Sequence, residues 1–175
     1  MWIFTVLGCG VGPVPPHPEG LEPVRTVLLS RDFDGLARAA MPFTQAQGGD
    51  PNWEAVRGAA RSLARADVPS KATAAYGALV VACAGCHHDP VEIPLEKGHG
   101  AAFLALEQGV IRRDADARKA AAAEVPRHAD LGASRLRLDQ LSLKIATPAS
   151  RERQALHYAE AMQECLRCHG LRPGL

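Results

Sequence analysis

The chain has 175 residues, which is enough for one domain or for two small ones. Its 20 basic residues balance 19 acidic ones without a long run of either charge, so nucleic acid is not expected as a partner. Only 5% of the residues are aromatic and the apolar content depends largely on alanine, so each half has few large side chains to fill a core.

The N-terminal segment 1–16 is apolar at first and then rich in proline. Its apolar part ends in Gly8-Cys9, and a small residue before a cysteine is typical of a bacterial lipoprotein signal, in which the cysteine is lipidated. The run is short and no basic residue precedes it, so a buried thiol or a short strand is the alternative. We expect lipid on Cys9, a Pro-rich tether after it, and no transmembrane helix, because no apolar stretch is long enough.

The rest of the chain contains an internal repeat. Residues 82 positions apart are often identical, the offset being 165 − 83 = 82 between two equivalent cysteines. The identical pairs include His17/His99, Arg31/Arg113, Asp32/Asp114, Asp34/Asp116 and Tyr76/Tyr158. The repeat defines two units, at 17–89 and 99–175, and the linker at 90–98 holds two prolines and a glycine. We expect the two units to share one fold.

Each unit is expected to form four short helices, because apolar residues recur at helical spacing and no alternating strand pattern occurs. Asp32 and Asp114 are suited to cap the second helix of each unit. The fourth helix is expected to begin near Pro69 in one unit and at Thr147-Pro148 in the other, and to end at the cysteines. The predicted spans of the first and third helices are 19–30, 101–112, 52–66 and 134–146. The fold class is therefore all-α, with two tandem small four-helix bundles.

Each fourth helix carries the motif Cys-x-x-Cys-His at its end. Its residues are Cys83, Cys86 and His87 in the first unit and Cys165, Cys168 and His169 in the second. This spacing lets two sulfurs bond to the vinyl groups of one haem while the next imidazole reaches the iron. The first cysteine shares an apolar helix face with Tyr76 or Tyr158, which we expect to pack against the haem. Two covalently bound haems c are therefore expected.

Paired cysteines also occur in zinc sites, redox-active dithiols and structural disulfides. Zinc normally takes two further ligands at matching spacing, and a thioredoxin-like dithiol belongs to a strand-helix-strand context that this pattern lacks. Haem attachment is the preferred interpretation.

An alanine-rich helical unit that ends in Cys83-Ala-Gly-Cys86-His87 or Cys165-Leu-Arg-Cys168-His169 resembles the bacterial c-type cytochromes built as helical bundles, of the cytochrome c-prime and c-556 kind. The resemblance covers roughly 17–89 and 99–171. It implies covalent haem, with His87 and His169 as the proximal iron ligands. The present units are shorter than the usual bundle of that family, occur in tandem, and have no matching methionine in the first helix.

The iron ligand on the other face of each haem is expected to be a histidine that the repeat keeps. His17 would bind the first haem and His99 the second, because the start of helix one and the end of helix four lie at the same end of an up-down-up-down bundle. The alternative is that His17 and His99 are only polar residues that introduce the first helix of each unit. Three other histidines have no counterpart in the repeat and are expected at the surface: His88, His128 and His157.

Together these features predict an electron-carrying dihaem cytochrome of the bacterial periplasm, not an enzyme, whose partners are other redox proteins. A six-coordinate haem changes oxidation state and has no vacant position for a substrate. One alternative is a haem-based sensor or enzyme that binds a gas or peroxide at a five-coordinate haem. The other is a metal- or redox-responsive module that uses the cysteines without haem.

Overall fold

A computed structural model describes residues 20–49, 51–87, 99–125 and 133–171, all of which belong to helices or their connections. No strand occurs in these ranges, which confirms the all-α class for them. The helices are α1 (Glu22–Leu29), α2 (Phe33–Thr44), α3 (Pro51–Ala64), α4 (Pro69–Cys83), α5 (His99–Ile111), α6 (Ala115–Glu124), α7 (Ala133–Ala146) and α8 (Arg151–Leu171). The predicted tether at 1–16 and linker at 90–98 lie outside the described residues.

The turns after α1 and α5 have the same geometry in both halves. Arg31 and Arg113 adopt positive φ angles of 59° and 56°, so in both turns the chain changes direction at a residue in the left-handed conformation. Asp32 then caps α2 by accepting the backbone N–H of Gly35, with an N to Oδ1 distance of 2.9 Å, and Asp114 accepts two N–H groups of α6. These caps confirm the predicted start of the second helix in each half.

The start of α8 differs from the prediction. Thr147-Pro148 was expected to begin the fourth helix, but α8 begins at Arg151. The hydroxyl of Ser150 accepts the N–H of Arg153 at 3.3 Å, so Ser150 satisfies a donor of the first turn. The hydroxyl of Thr147 donates to the carbonyl of Leu143 and belongs to the end of α7 instead.

The two halves pack against each other through the helices that carry the motifs. Helices within each half pack in chain order, but the most extensive interhelical contact joins α4 to α8. In addition, α1 packs against α8 and α5 packs against α4. Buried apolar residues of both halves form one cluster. The described residues therefore share one core, which the two halves build together.

Gly77 allows the close approach of α4 to α8. A Cβ atom at this position would meet the carbonyl oxygen of Ala155 and lie 3.2 Å from the amide nitrogen of Ala159. Because 77 + 82 = 159, Ala159 is the repeat-equivalent of Gly77. The two helices therefore meet at equivalent positions, and a glycine on one of them lets the backbones touch.

Candidate functional site

The first Cys-x-x-Cys-His motif lies where α4 ends. Cys83 is the last residue of the helix and packs against the hydrophobic core, as expected from the helix face. Residues 84–86 form a turn in which the N–H of Cys86 donates to the carbonyl of Cys83 at 3.1 Å. Cys86 is exposed and His87 is half-buried, so the motif extends from the core to the surface.

The second motif has the same residues but a different backbone. Helix α8 continues to Leu171, so the prediction that the fourth helix ends at the cysteines holds for α4 and is wrong for α8. The cause lies between the cysteines. Gly85 has a low helix propensity, and a Cβ there would meet the side chain of Asn52, whereas the equivalent Arg167 favours the helix. Cys165 packs against the core like Cys83.

Burial keeps the first thiol of each motif protonated. Desolvation raises the pKa of Cys83 to about 12, and the nearby carboxylate of Glu107 adds to the rise. The pKa of Cys165 is also raised to about 12, by desolvation and then by Cys168. A redox-active dithiol needs a thiolate at neutral pH, so these surroundings do not favour that alternative.

The donor set of each motif suits a c-type haem. It presents one thiol against an apolar wall, a second thiol three residues later and an imidazole next to it. Among the described residues, no group of three or more His, Cys, Asp and Glu side chains is arranged to hold a metal ion. Within the described residues, the motif side chains therefore form no preformed cage of metal ligands.

The other histidines are placed only in part. His17, His88 and His128 lie outside the described residues, as does Cys9, and His99 begins α5 without a described side chain. Distal ligation by His17 and His99 thus stays a prediction. His157 was expected at the surface, but its side chain is only 18% exposed and lies 3.8 Å from Glu160, so that expectation is wrong.

A buried polar cluster lies between the two halves, and its four residues form two repeat pairs. The hydroxyls of Tyr76 and Tyr158 both donate to Oε2 of Glu107, at 2.6 and 2.7 Å. Arg25 donates to the other carboxylate oxygen at 3.0 Å. Since 25 + 82 = 107, Arg25 and Glu107 occupy equivalent positions with opposite charges. We call these four residues the central cluster.

The tyrosine rings contact each other as well as their shared carboxylate. Their centroids are 6.1 Å apart, and Phe103 lies 5.3 Å from the ring of Tyr158 on its own side. From the sequence alone, these rings are expected to pack against haem, and Glu107 is not among the predicted site residues. One signal was present: a glutamate within the apolar stretch Phe103 to Ile111, 82 residues after an arginine.

We expect the tyrosines to resist ionisation while the protein is folded. Burial and the Glu107 carboxylate raise the pKa of both well above the ordinary value of 10.0. The unfolded chain releases these protons near pH 10 and the folded chain keeps them, so stability should fall as pH rises above about 10. Because the chain has only two tyrosines, tyrosinate absorbance reports on this cluster alone.

The measurement is an alkaline titration that follows tyrosinate absorbance and helical circular dichroism together. Both signals should change in one step, well above the titration of the same protein in urea. Tyrosinate formation near pH 10 with the helical signal intact would contradict the buried arrangement.

Comparisons with protein-family models, with curated proteins and with solved structures found no match to this chain. Across the part of the chain that the structure describes, no helix is long and apolar enough to cross a membrane. The two motifs and their surroundings are therefore the basis for a functional proposal.

Proposed function

We propose that this protein is a dihaem c-type cytochrome that carries electrons between redox proteins of the bacterial periplasm. One observation carries the proposal: the two Cys-x-x-Cys-His motifs fall at equivalent positions of a repeat, and in both the first cysteine packs against the core. A Cys-x-x-Cys-His motif that arose by chance is not expected to recur at the equivalent position of a second helix. Haem c would supply the reversible one-electron chemistry.

Each residue of the motif has a role in this proposal. Cys83 and Cys165 would anchor one porphyrin edge on the apolar side of the helix, and Cys86 and Cys168 would fix its rotation. His87 and His169 would hold the iron from the proximal side. His17 and His99 are the proposed distal ligands, which would leave no open position and favour electron transfer over binding of a substrate.

Haem attachment is tested by cysteine variants in a host with c-type haem assembly. The unaltered protein should contain two haems per chain, and Cys83→Ala with Cys86→Ala should reduce the content to one. The reciprocal pair Cys165→Ala with Cys168→Ala is the matched control and should also leave one. Two haems in either variant, or zinc with no haem in the unaltered protein, would refute the proposal.

Carbon monoxide distinguishes an electron carrier from a gas-binding sensor or enzyme. The reduced, unaltered protein should not bind carbon monoxide, and His99→Ala should open one haem of the two to it. Helix α5 packs against α4 of the other half as well as within its own half. His99→Ala should therefore be combined with each pair of cysteine substitutions, and carbon monoxide binding by these variants shows which haem iron His99 ligates. Stoichiometric binding at both haems of the unaltered protein would favour the sensor or enzyme.

The compartment and the membrane anchor belong to the same proposal. Covalent haem attachment of this kind fits an oxidising, extracytoplasmic location, and lipid on Cys9 would hold the protein at a membrane surface. Mass spectrometry of protein from its native host decides the second point, because an intact Met1 or an unmodified Cys9 excludes lipidation.

A further inference from the structure

A polar groove of about 430 Å³ lies between α7 and α8. Side chains of both helices line it: Arg137, Gln140, Leu141, Lys144, Glu160, Gln163, Glu164 and Arg167. Three of these are basic and two are acidic, so the groove carries a net positive charge at neutral pH. Its size is in the range of pockets that hold small molecules.

A buried carboxylate organises one end of the groove. Glu164 is only 3% exposed, and Nη1 of Arg167 donates to both of its oxygens, at 3.0 and 3.1 Å. Arg137 approaches one of the same oxygens through Nε at 3.2 Å. Both arginine side chains are more than half exposed, and each guanidinium group has more N–H donors than its contacts with Glu164 use.

The repeat provides an internal comparison for this groove. The equivalent positions in the first half are obtained by subtracting 82, and seven of the eight carry alanine, glycine or serine. They are Ala55, Gly58, Ala59, Ser62, Ala78, Val81, Ala82 and Gly85. In that half the turn after α4 lies close to α3, since a Cβ at Gly85 would meet the side chain of Asn52. Charged, long side chains are therefore a property of the second half and not of the shared fold.

We propose that the groove between α7 and α8 binds a small molecule with an oxyanion group, either a carboxylate or a phosphate. Arg137 and Arg167 together carry two positive charges and Glu164 only one negative charge, so a second anion is attracted to this end. Glu164 fixes both guanidinium groups in place before the ligand arrives, which lowers the entropic cost of binding. Charge-assisted hydrogen bonds from arginine to oxyanions are the strong ones available here.

The remaining lining residues fit the rest of such a ligand. The carboxamides of Gln140 and Gln163 can donate or accept hydrogen bonds, and Lys144 supplies a further cation two helical turns from Arg137. Arg167 also lies between Cys165 and Cys168 of the second motif. An anion in the groove would therefore sit beside one motif and not the other.

The test is calorimetric titration of the full protein with inorganic phosphate and, separately, with succinate. At least one probe should bind saturably, and Arg167→Gln and Lys144→Gln should each weaken it, the arginine change roughly tenfold or more. Glu164→Gln keeps one oxygen acceptor for the guanidinium groups and removes the competing negative charge, so it should tighten binding. Arg153→Gln, on an exposed part of α8, is the matched control and should bind like the unaltered protein.

Which probe binds identifies the ligand chemistry: phosphate alone indicates a phosphate ester, and succinate a carboxylate. Lys144 is exposed, so its substitution reports on binding even if Arg167→Gln disturbs α8. Absence of saturable binding by both probes, or equal binding by all variants, would overturn the proposal. Haem content is measured separately with the cysteine variants, so this inference and the proposed function can fail independently.

Discussion

Glu107→Ala is expected to lower the free energy of unfolding by about 2–4 kcal/mol, less than for a fully buried ion pair, because the Arg25 side chain is 15% exposed and keeps some hydration. The substitution leaves the Arg25 guanidinium without its carboxylate and two tyrosine hydroxyls without their acceptor, all within the contact between the halves. Each unsatisfied buried group adds its own desolvation cost. The measurement is urea unfolding followed by circular dichroism.

Two control variants separate the effect of losing the Glu107 carboxylate from the effect of losing one hydrogen-bond donor or an exposed glutamate. Tyr76→Phe removes one donor and leaves the ion pair, so it should cost less, about 1–2 kcal/mol. Glu54→Ala removes an exposed glutamate that also binds two arginines, and it should leave the unfolding midpoint almost unchanged. A loss for Glu107→Ala no greater than that for Glu54→Ala would show that the central cluster does not stabilise the protein.

Gly77→Ala is expected to destabilise the protein by about 1–3 kcal/mol, although alanine is the better helix former. The added methyl group would meet the backbone of α8 at Ala155, and a backbone carbonyl cannot rotate away as a side chain can. The helices must separate or shift, which disturbs the tyrosine contact next to them. The free energy of unfolding in urea measures the effect.

Gly58→Ala is the matched control, because it makes the same change inside a helix where the new methyl group would contact nothing within 4 Å. There the helix propensity should dominate, and the protein should gain about 0.5–1 kcal/mol. If both substitutions stabilise the protein, α4 and α8 do not lie in contact at Gly77.

Local signals along the sequence predicted most of the helices. Asp32 and Asp114 cap their helices because a short carboxylate next to a first turn satisfies its N–H groups whatever lies further away. The start of α8 was misplaced because Pro148 and Ser150 both fit a helix start, and the observed hydrogen bond selects Ser150. Such choices between neighbouring caps depend on small energy differences.

The contact between the halves could not be predicted in the same way. An internal repeat shows that two units share a fold, but it does not show which faces meet. The spacing of Tyr76 and Cys83 placed both on an inward face, which is correct, yet that face meets α8 and not only its own half. The partners of Glu107 come from three other helices, and no local pattern joins residues that are far apart in sequence.

The opposite charges of Arg25 and Glu107 have a consequence for how halves can associate. If two first halves met through this surface, two guanidinium groups would face each other in the interior without a carboxylate. Two second halves would bring together two carboxylates without a cation. Either association of two identical halves would bury uncompensated charge, which costs several kcal/mol. Only a first half with a second half satisfies the contact, so this ion pair makes the two copies of the repeat complementary and no longer interchangeable.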